Sequence, residues 1–193
     1  MAFNLSALFR RRPTAAAPVS PLPVGRVPSV PLKAPAAKGT LRRRMVAGTA
    51  AAALAVTFVQ TREGTRLKAY RDIVGVATIC NGETRGVTMD MTATPQQCAA
   101  MLLKGLGEFE GNVLKCVPGL ASAPDERLVA HVSLAYNIGA GAYCKSTVAR
   151  RYNAGDIAGS CDAFDMWDKA GGRRVKGLSI RRDDEQVLCR KGL

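Results

Sequence analysis

Glu63-Gly64-Thr65-Arg66-Leu67-Lys68-Ala69-Tyr70-Arg71-Asp72, followed by Gly75 and Thr78-Ile79, is the stretch that decides the fold. An uncharged, alanine-rich run, Met45 to Gln60 (MVAGTAAAALAVTFVQ), stops just ahead of it. Beyond Glu63 the text breaks into short, turn-rich pieces: Asp72 to Gly75, Val76 to Cys80, then an Asn81-Gly82 pair of the kind that closes hairpins. A helix is therefore expected to run directly into a small antiparallel sheet over residues 66–90, with Glu63 at the joint.

Downstream the period changes to that of helices. Thr94-Pro95-Gln96-Gln97 reads as a capping box with proline at the first helical position, and Cys98, Met101, Leu102, Leu106 and Phe109 repeat at three and four. Pro124 opens a further helix carrying Leu128, Val129, Val132, Ala135 and Tyr136. Shorter helices are predicted over about Thr147 to Asn153, Ile157 to Lys169 and Ser179 to Arg190, with Gly155, Gly171 and Gly192 just past their ends.

Upstream lies a different kind of chain. Residues 1–44 form a basic tail rich in Pro and Ala, too poor in large apolar side chains to bury a core, with nine basic residues and no acidic one. Most of the formal net charge of +13 sits there, and the body keeps an excess of only four. A body with one Trp and no basic, aromatic-studded face is not a nucleic-acid binder. Three arginines, Arg42 to Arg44, precede the uncharged run at 45–60. Sixteen helical residues rise about 24 Å against a hydrocarbon core of roughly 30 Å, so this segment would enter a bilayer weakly and could also leave it. The arginines place the tail inside and the rest of the chain outside. A cleaved signal peptide ending at Ala53-Leu54-Ala55 and a buried core helix are the alternatives.

Six cysteines, Cys80, Cys98, Cys116, Cys144, Cys161 and Cys189, are dispersed with no CxxC pair and a single His in the chain. That pattern argues against a zinc site and for disulfides formed in an oxidising compartment; no metal and no cofactor is expected. Among about 15 possible pairings, Cys161 with Cys189 would staple the last two helices, and Cys80 with Cys98 and Cys116 with Cys144 are the remaining candidates.

Cutting a glycosidic bond needs a carboxylic acid that keeps its proton near neutral pH, and a second group across the sugar that holds a carboxylate or a water. Glu63, between an apolar helix and a sheet, suits the first task through partial burial; Asp72 in a polar turn suits the second. Alone, the spacing fits a surface Glu and a turn-capping Asp equally well. With its flanking residues, however, the stretch resembles the catalytic segment of phage-type lysozymes, glycoside hydrolase family 24, in which Glu, Asp and Thr stand at these intervals. The resemblance implies an inverting muramidase that cuts the β-1,4 bond between N-acetylmuramic acid and N-acetylglucosamine of peptidoglycan during bacterial cell lysis. Glu63 would be the general acid, and Asp72 with Thr78 would position the attacking water.

The resemblance extends over residues 56–193. Ala135-Tyr136-Asn137-Ile138-Gly139-Ala140-Gly141 looks like the family's helix-to-loop segment beside the cleft, implying Asn137, Gly139 and Gly141 as substrate-binding positions. Trp167, Gly177-Leu178, Arg181-Arg182, Glu185 and Leu188-Cys189 look like its C-terminal helices. The implied fold is α+β: a mainly helical domain, a small three-stranded antiparallel sheet lobe, and a cleft between the lobes. Residues 45–60 resemble the weak anchors of signal-anchor-release endolysins. This implies a monomer held in the host inner membrane with its catalytic domain facing the periplasm, later released to it. One departure stands out: Gly82-Glu83-Thr84 occupies the place where many members read Gly-His-Thr, so Glu83 is either a second acid near the site or a solvent-facing turn residue. His131 is expected to be a half-buried helix residue. Paired with a Cys it would make a cysteine amidase acting on peptide stems, and a non-catalytic wall- or membrane-binding module is the remaining alternative.

Overall fold

The computed structural model describes residues 44–72 and 74–193, so the tail expected over 1–44 lies outside the described residues except for Arg44. Thr49 opens helix α1 (Ala50–Glu63): its backbone is extended and its hydroxyl accepts from the Ala52 N–H. Ala51, Ala52, Ala55 and Val59 form the buried stripe of this helix, whereas Ala50, Ala53 and Thr57 are exposed. Gly64, at φ +70° and ψ 169°, adopts a conformation essentially reserved for glycine, turning the chain off the axis and leaving Glu63 as the last helical residue.

Strands β1 (Arg66–Arg71) and β2 (Ala77–Cys80) pair antiparallel, with Tyr70 opposite Thr78 and Arg71 opposite Ala77. The sheet has two strands, not the three expected. Residues 91–93 run beside β1 through the Ala69 N–H to Met91 O and Ala93 N–H to Leu67 O bonds, but only Lys68 and Thr92 form a bridge. This piece is cut short as a strand because Thr94 at once caps α2 (Pro95–Cys116), with the expected capping box in place.

α3 (Asp125–Ile138) is the axis of the domain. Every residue from Arg127 to Ala135 is buried, and the helix packs against α1, α2 and the C-terminal α7 (Lys176–Cys189). Between α3 and α7 lie α4 (Ala140–Cys144), α5 (Thr147–Asn153) and α6 (Ile157–Asp162). The helix predicted over 157–169 ends early. After Asp162 the chain tightens into a 3₁₀ turn, Ala163–Trp167, and then a short hairpin, β3 (Lys169–Ala170) with β4 (Arg173–Arg174), turning at Gly171-Gly172. Buried Asp168 holds the hairpin base through Arg174 at 2.5 Å and the Val175 N–H at 2.9 Å.

Three disulfides tie elements distant in sequence: Cys80–Cys98 joins β2 to α2, Cys116–Cys144 joins α2 to α4, and Cys161–Cys189 joins α6 to α7. Their Cα separations of 5.0, 5.6 and 5.6 Å lie in the ordinary range.

Packing begins ahead of Val56, where the sequence placed the start of the catalytic domain. The buried carboxylate of Glu110 on α2 accepts the backbone N–H of Arg44 at 2.6 Å and of Met45 at 3.1 Å. The Arg44 guanidinium reaches Leu120 O, Ala123 O and Asp125 Oδ1 at 2.6 to 2.7 Å. Gly107 lets the strap come this close, because a Cβ there would stand 3.3 Å from Met45 O. Residues 44–49 are thus a strap across α2 and the start of α3. No helix among the described residues is long and apolar enough to cross a membrane.

His131 is fully buried, not half-buried as expected. It meets Tyr143 Oη at 2.7 Å and lies edge-on to Tyr152 and Phe164. Burial, with the Arg127 charge added, pushes its pKa down to about 3. An unfolded chain takes up this proton near pH 6.5 and the folded one does not until about 3. The stabilisation from neutral His131 is therefore complete above 6.5 and is lost at about 1.4 kcal/mol per pH unit as pH falls through that window. His131→Phe is expected to flatten the urea-unfolding free energy by close to that slope between pH 6 and pH 4, relative to wild type. Parallel slopes for the two proteins would show that the buried imidazole does not exclude the proton.

Candidate active site

Glu63 occupies the last turn of α1 because Gly64 ends the helix there, and its carboxylate, 30% exposed, pairs with Arg181 Nη1 from α7. One turn of α7 further on, Asp184 Oδ2 takes Arg62 Nη2 at 2.6 Å, and the Arg62 guanidinium lies 3.5 Å over the Phe58 ring. Two ion pairs thus fasten the end of α1 to α7. Glu63, Asn137 and Arg181 line one open cleft of about 400 Å³, together with Gly177 and Leu178 of α7.

The sheet lobe reaches Glu63 through Asn81. Its Nδ2 donates to Gly64 O and, at 3.0 Å, to Thr65 Oγ1, while Tyr136 Oη donates to Asn81 O at 3.1 Å. The hairpin base is therefore tied to the end of α1 and to α3. Burial, and next the charges of Glu63 and Glu83, push the Tyr136 phenol up, so it remains a neutral donor.

Asp72 and Thr78 lie on the hairpin. Tyr70 and Thr78 are direct partners and Asp72 follows Tyr70 by two, so the three share a face. Asp72 Oδ1 accepts the N–H groups of Val74 at 3.0 Å and Val76 at 2.9 Å, which fixes the carboxylate within the turn; Oδ2 takes no protein hydrogen bond among the described residues. Turn capping and a free oxygen coexist in one side chain. Thr78 is buried and spends its hydroxyl proton on Val76 O at 3.0 Å, which leaves its lone pairs to accept.

Of the positions expected to bind substrate, Asn137 stands in the cleft, its Oδ1 accepting from Arg182 Nη2 at 3.2 Å. Gly139 and Gly141 lie at the corner between α3 and α4. Gly139, at φ +87°, ends α3 and starts α4, and neither glycine lines the cavity that holds Glu63 and Asn137.

Glu83 does not stand as a free second acid. Arg85 grips its carboxylate with Nε and Nη2, each at 3.0 Å, and holds it below the usual carboxylate range. Arg85 in turn reaches both oxygens of Glu108 on α2 at 3.0 Å, so the triad ties the hairpin to α2. All six cysteines are in disulfides and His131 is sealed in the core, which removes the nucleophile and the base of a cysteine amidase. Among the described residues no cluster of His, Cys, Asp or Glu could hold a metal ion.

Arg181, Asn81 and Tyr136 are the site residues to which the sequence assigned no role. Arg181 and Glu185 entered the sequence reading only as part of a stretch that looks like the family's C-terminal helices; the structure adds that they form an i, i+4 ion pair on α7.

A helical lobe carrying one carboxylate, a hairpin lobe carrying another and an open cleft beside the first are the layout of a lysozyme-like glycosidase. Residues 60–185 match the phage lysozyme family. The chain is 35% identical over 159 residues to the SAR-endolysin of Enterobacteria phage P21, covering 78% of this chain and 95% of that one. Its fold is similar to an endolysin from Escherichia coli O157:H7 phage FAHEc1, with a TM-score of 0.62, 28% identity and coverage of 81% and 96% of the two chains. It is also similar to the muramidase domain of SpmX from Asticaccaulis excentricus, with a TM-score of 0.65, 25% identity and coverage of 76% and 97%. The chain belongs to the phage lysozyme family. It is a muramidase, an enzyme that degrades peptidoglycan.

Proposed function

We propose that this muramidase cuts the β-1,4 bond between N-acetylmuramic acid and N-acetylglucosamine with inversion at the anomeric carbon. The observation that carries this reading is Glu63 at the mouth of the cleft, on a helix end fastened to α7 by Arg62–Asp184 and Glu63–Arg181. Glu63 gives its proton to the glycosidic oxygen as the bond from C1 breaks. Arg181 is the cation in place to receive the carboxylate left behind. Asp72 Oδ2 and the Thr78 hydroxyl hold a water on the other face of the sugar; the water attacks C1 and its proton passes to Asp72. Asn137 lies in the same cleft, within reach of bound glycan.

In this reading residues 45–60 first serve as a weak anchor in the host inner membrane, with the enzyme facing the periplasm, and are then released. The relative from phage P21 carries the name SAR-endolysin. The structure supplies a reason why a tethered chain would be silent. Ala51, Ala55 and Val59 complete the core, and Arg44 and Met45 occupy buried Glu110, so none of these contacts can form while the segment lies in a bilayer. Glu63 would then have no route to Arg181.

Stereochemistry tests the catalytic reading. Proton NMR of purified peptidoglycan in the first minutes of digestion is expected to reveal N-acetylmuramic acid reducing ends appearing as the α-anomer. Reducing ends on N-acetylglucosamine would mean that the other bond is cut, and early β-anomer would mean a covalent, retaining route.

A further inference from the structure

Behind Glu63 and Arg181 lies a buried polar cluster that the mechanism above does not use. Glu185 is fully buried, and its Oε1 accepts from Ser133 Oγ at 2.6 Å, Arg182 Nη2 at 3.1 Å and Arg181 Nε at 3.2 Å. Burial pushes Glu185 up, and Arg182, Ser133 and Arg181 oppose that push. Three donors converging on one oxygen are the hydrogen bonding of a carboxylate. Arg182, also fully buried, lies with Nε 2.9 Å from Glu185 Oε2.

Arg181 is consequently held on two of its three nitrogens. Nε faces Glu185, and Nη2 faces Ser133 O and Oγ at 3.4 Å each, which leaves Nη1 for Glu63. A guanidinium is planar, so fixing two nitrogens fixes the third. An arginine whose only task was to neutralise Glu185 would need no such clamp from the backbone of α3.

We propose that Glu185, with Ser133, is a positioning residue for the catalytic acid: it orients Arg181 so that Nη1 meets the Glu63 carboxylate, and it balances the charge behind it. The proposal rests on Glu63 being the acid. Counted together, Arg181, Arg182, Glu185 and an ionised Glu63 sum to zero. When Glu63 carries the proton it must deliver, the cluster stands at +1, and without the Glu185 charge it would stand at +2. Glu185 therefore makes the proton-loaded state of the site tolerable. Among the described residues, the other charged or titratable groups near Glu63 are Arg62 on its own helix, Asp184 on α7 and Tyr136 on α3, with Asp72 across the bound sugar in the mechanism above; Glu83 and Arg85 face Tyr136 and are paired with each other. The substitutions below leave all of these in place.

The test uses the full chain and measures kcat and KM on purified peptidoglycan across pH. Glu185→Gln is expected to lower kcat at least tenfold with KM unchanged. It should also move the alkaline limb of the kcat profile down by roughly half to one pH unit, the direction in which an added positive charge releases a proton. Glu185→Gln leaves Arg182 without its counter-ion and can fail to fold, so Ser133→Ala is measured beside it. Ser133→Ala keeps every charge and loosens only the clamp, and a threefold to tenfold loss of kcat at constant KM is expected, with Ser133→Thr restoring it. Wild-type kcat and pH profile in folded Glu185→Gln, or in Ser133→Ala where Glu185→Gln does not fold, would overturn the proposal. A fall confined to thermal stability, with the profile unmoved, would overturn it equally. Undiminished activity in Glu63→Gln would instead remove the assignment of the acid on which the proposal rests.

Discussion

Leucine at Ala47, Ala50, Ala53 and Thr57 is expected to hold the enzyme in the membrane and delay lysis by well over an order of magnitude. These four positions are exposed in the folded domain, so the longer side chains there meet solvent and not the core. The choice matters, because Ala51, Ala52 and Ala55 are buried, and leucine at those sites would overpack the released form as well as favour the anchored one. Each leucine adds roughly half a kcal/mol of insertion preference, about 2 kcal/mol in all, which shifts the balance between anchored and released chains about thirtyfold. Fractionation of expressing cells should find the variant with the membranes, while the same protein extracted and refolded without membranes should digest peptidoglycan at the wild-type rate. Lysis as fast as wild type would rule out a release step. A mature chain cut after Ala55 would also do so, making the segment an ordinary export signal.

Much of this architecture was legible because it is written locally. The capping box at Thr94, the proline before α3 and the apolar stripe of α2 each announce an element within a few residues, and the structure places the elements there. The joint at Glu63-Gly64 was legible for the same reason: an apolar run stops, a glycine follows and a turn-rich stretch begins. Local signals fail where distant partners decide. The helix predicted through Lys169 stops at Asp162 because Asp168 is claimed by Arg174 and the chain must turn at Gly171-Gly172 to bring them together. Contacts with the helical body are already made by Arg44 and Met45, ahead of Val56, because Glu110, more than sixty residues away, receives the strap. His131 looked half-buried on its own helix, and Tyr143, Tyr152 and Phe164 close over it from elsewhere in the chain.

The site divides along the same line. Glu63, Asp72 and Thr78 could be named because their spacing in one short stretch resembles a family motif, and Asp72 also fulfils the modest role of turn cap that its sequence suggested. Arg181 and the Ser133–Glu185 pair behind it come from α7 and α3, and no spacing in the sequence links them to Glu63. Glu83 illustrates the converse. Read alone it was either a second acid near the site or a solvent-facing turn residue; with Arg85 and Glu108 it becomes a tie to α2.

The most direct measurement of the central claim is release of reducing sugar ends from purified peptidoglycan by Glu63→Gln beside wild type, with both proteins checked for the folded state. Glutamine keeps the size and the polar contacts of the side chain, and Arg181 can still donate to the amide oxygen, so the cleft should persist. What disappears is the only proton the mechanism has to give to the leaving oxygen. Loss of a general acid of this kind is expected to cost roughly a thousandfold in rate. A folded Glu63→Gln enzyme releasing sugar at less than about a hundredth of the wild-type rate is the predicted result. Retention of more than about a tenth of that rate would contradict the account, because it would mean that another group protonates the glycosidic oxygen.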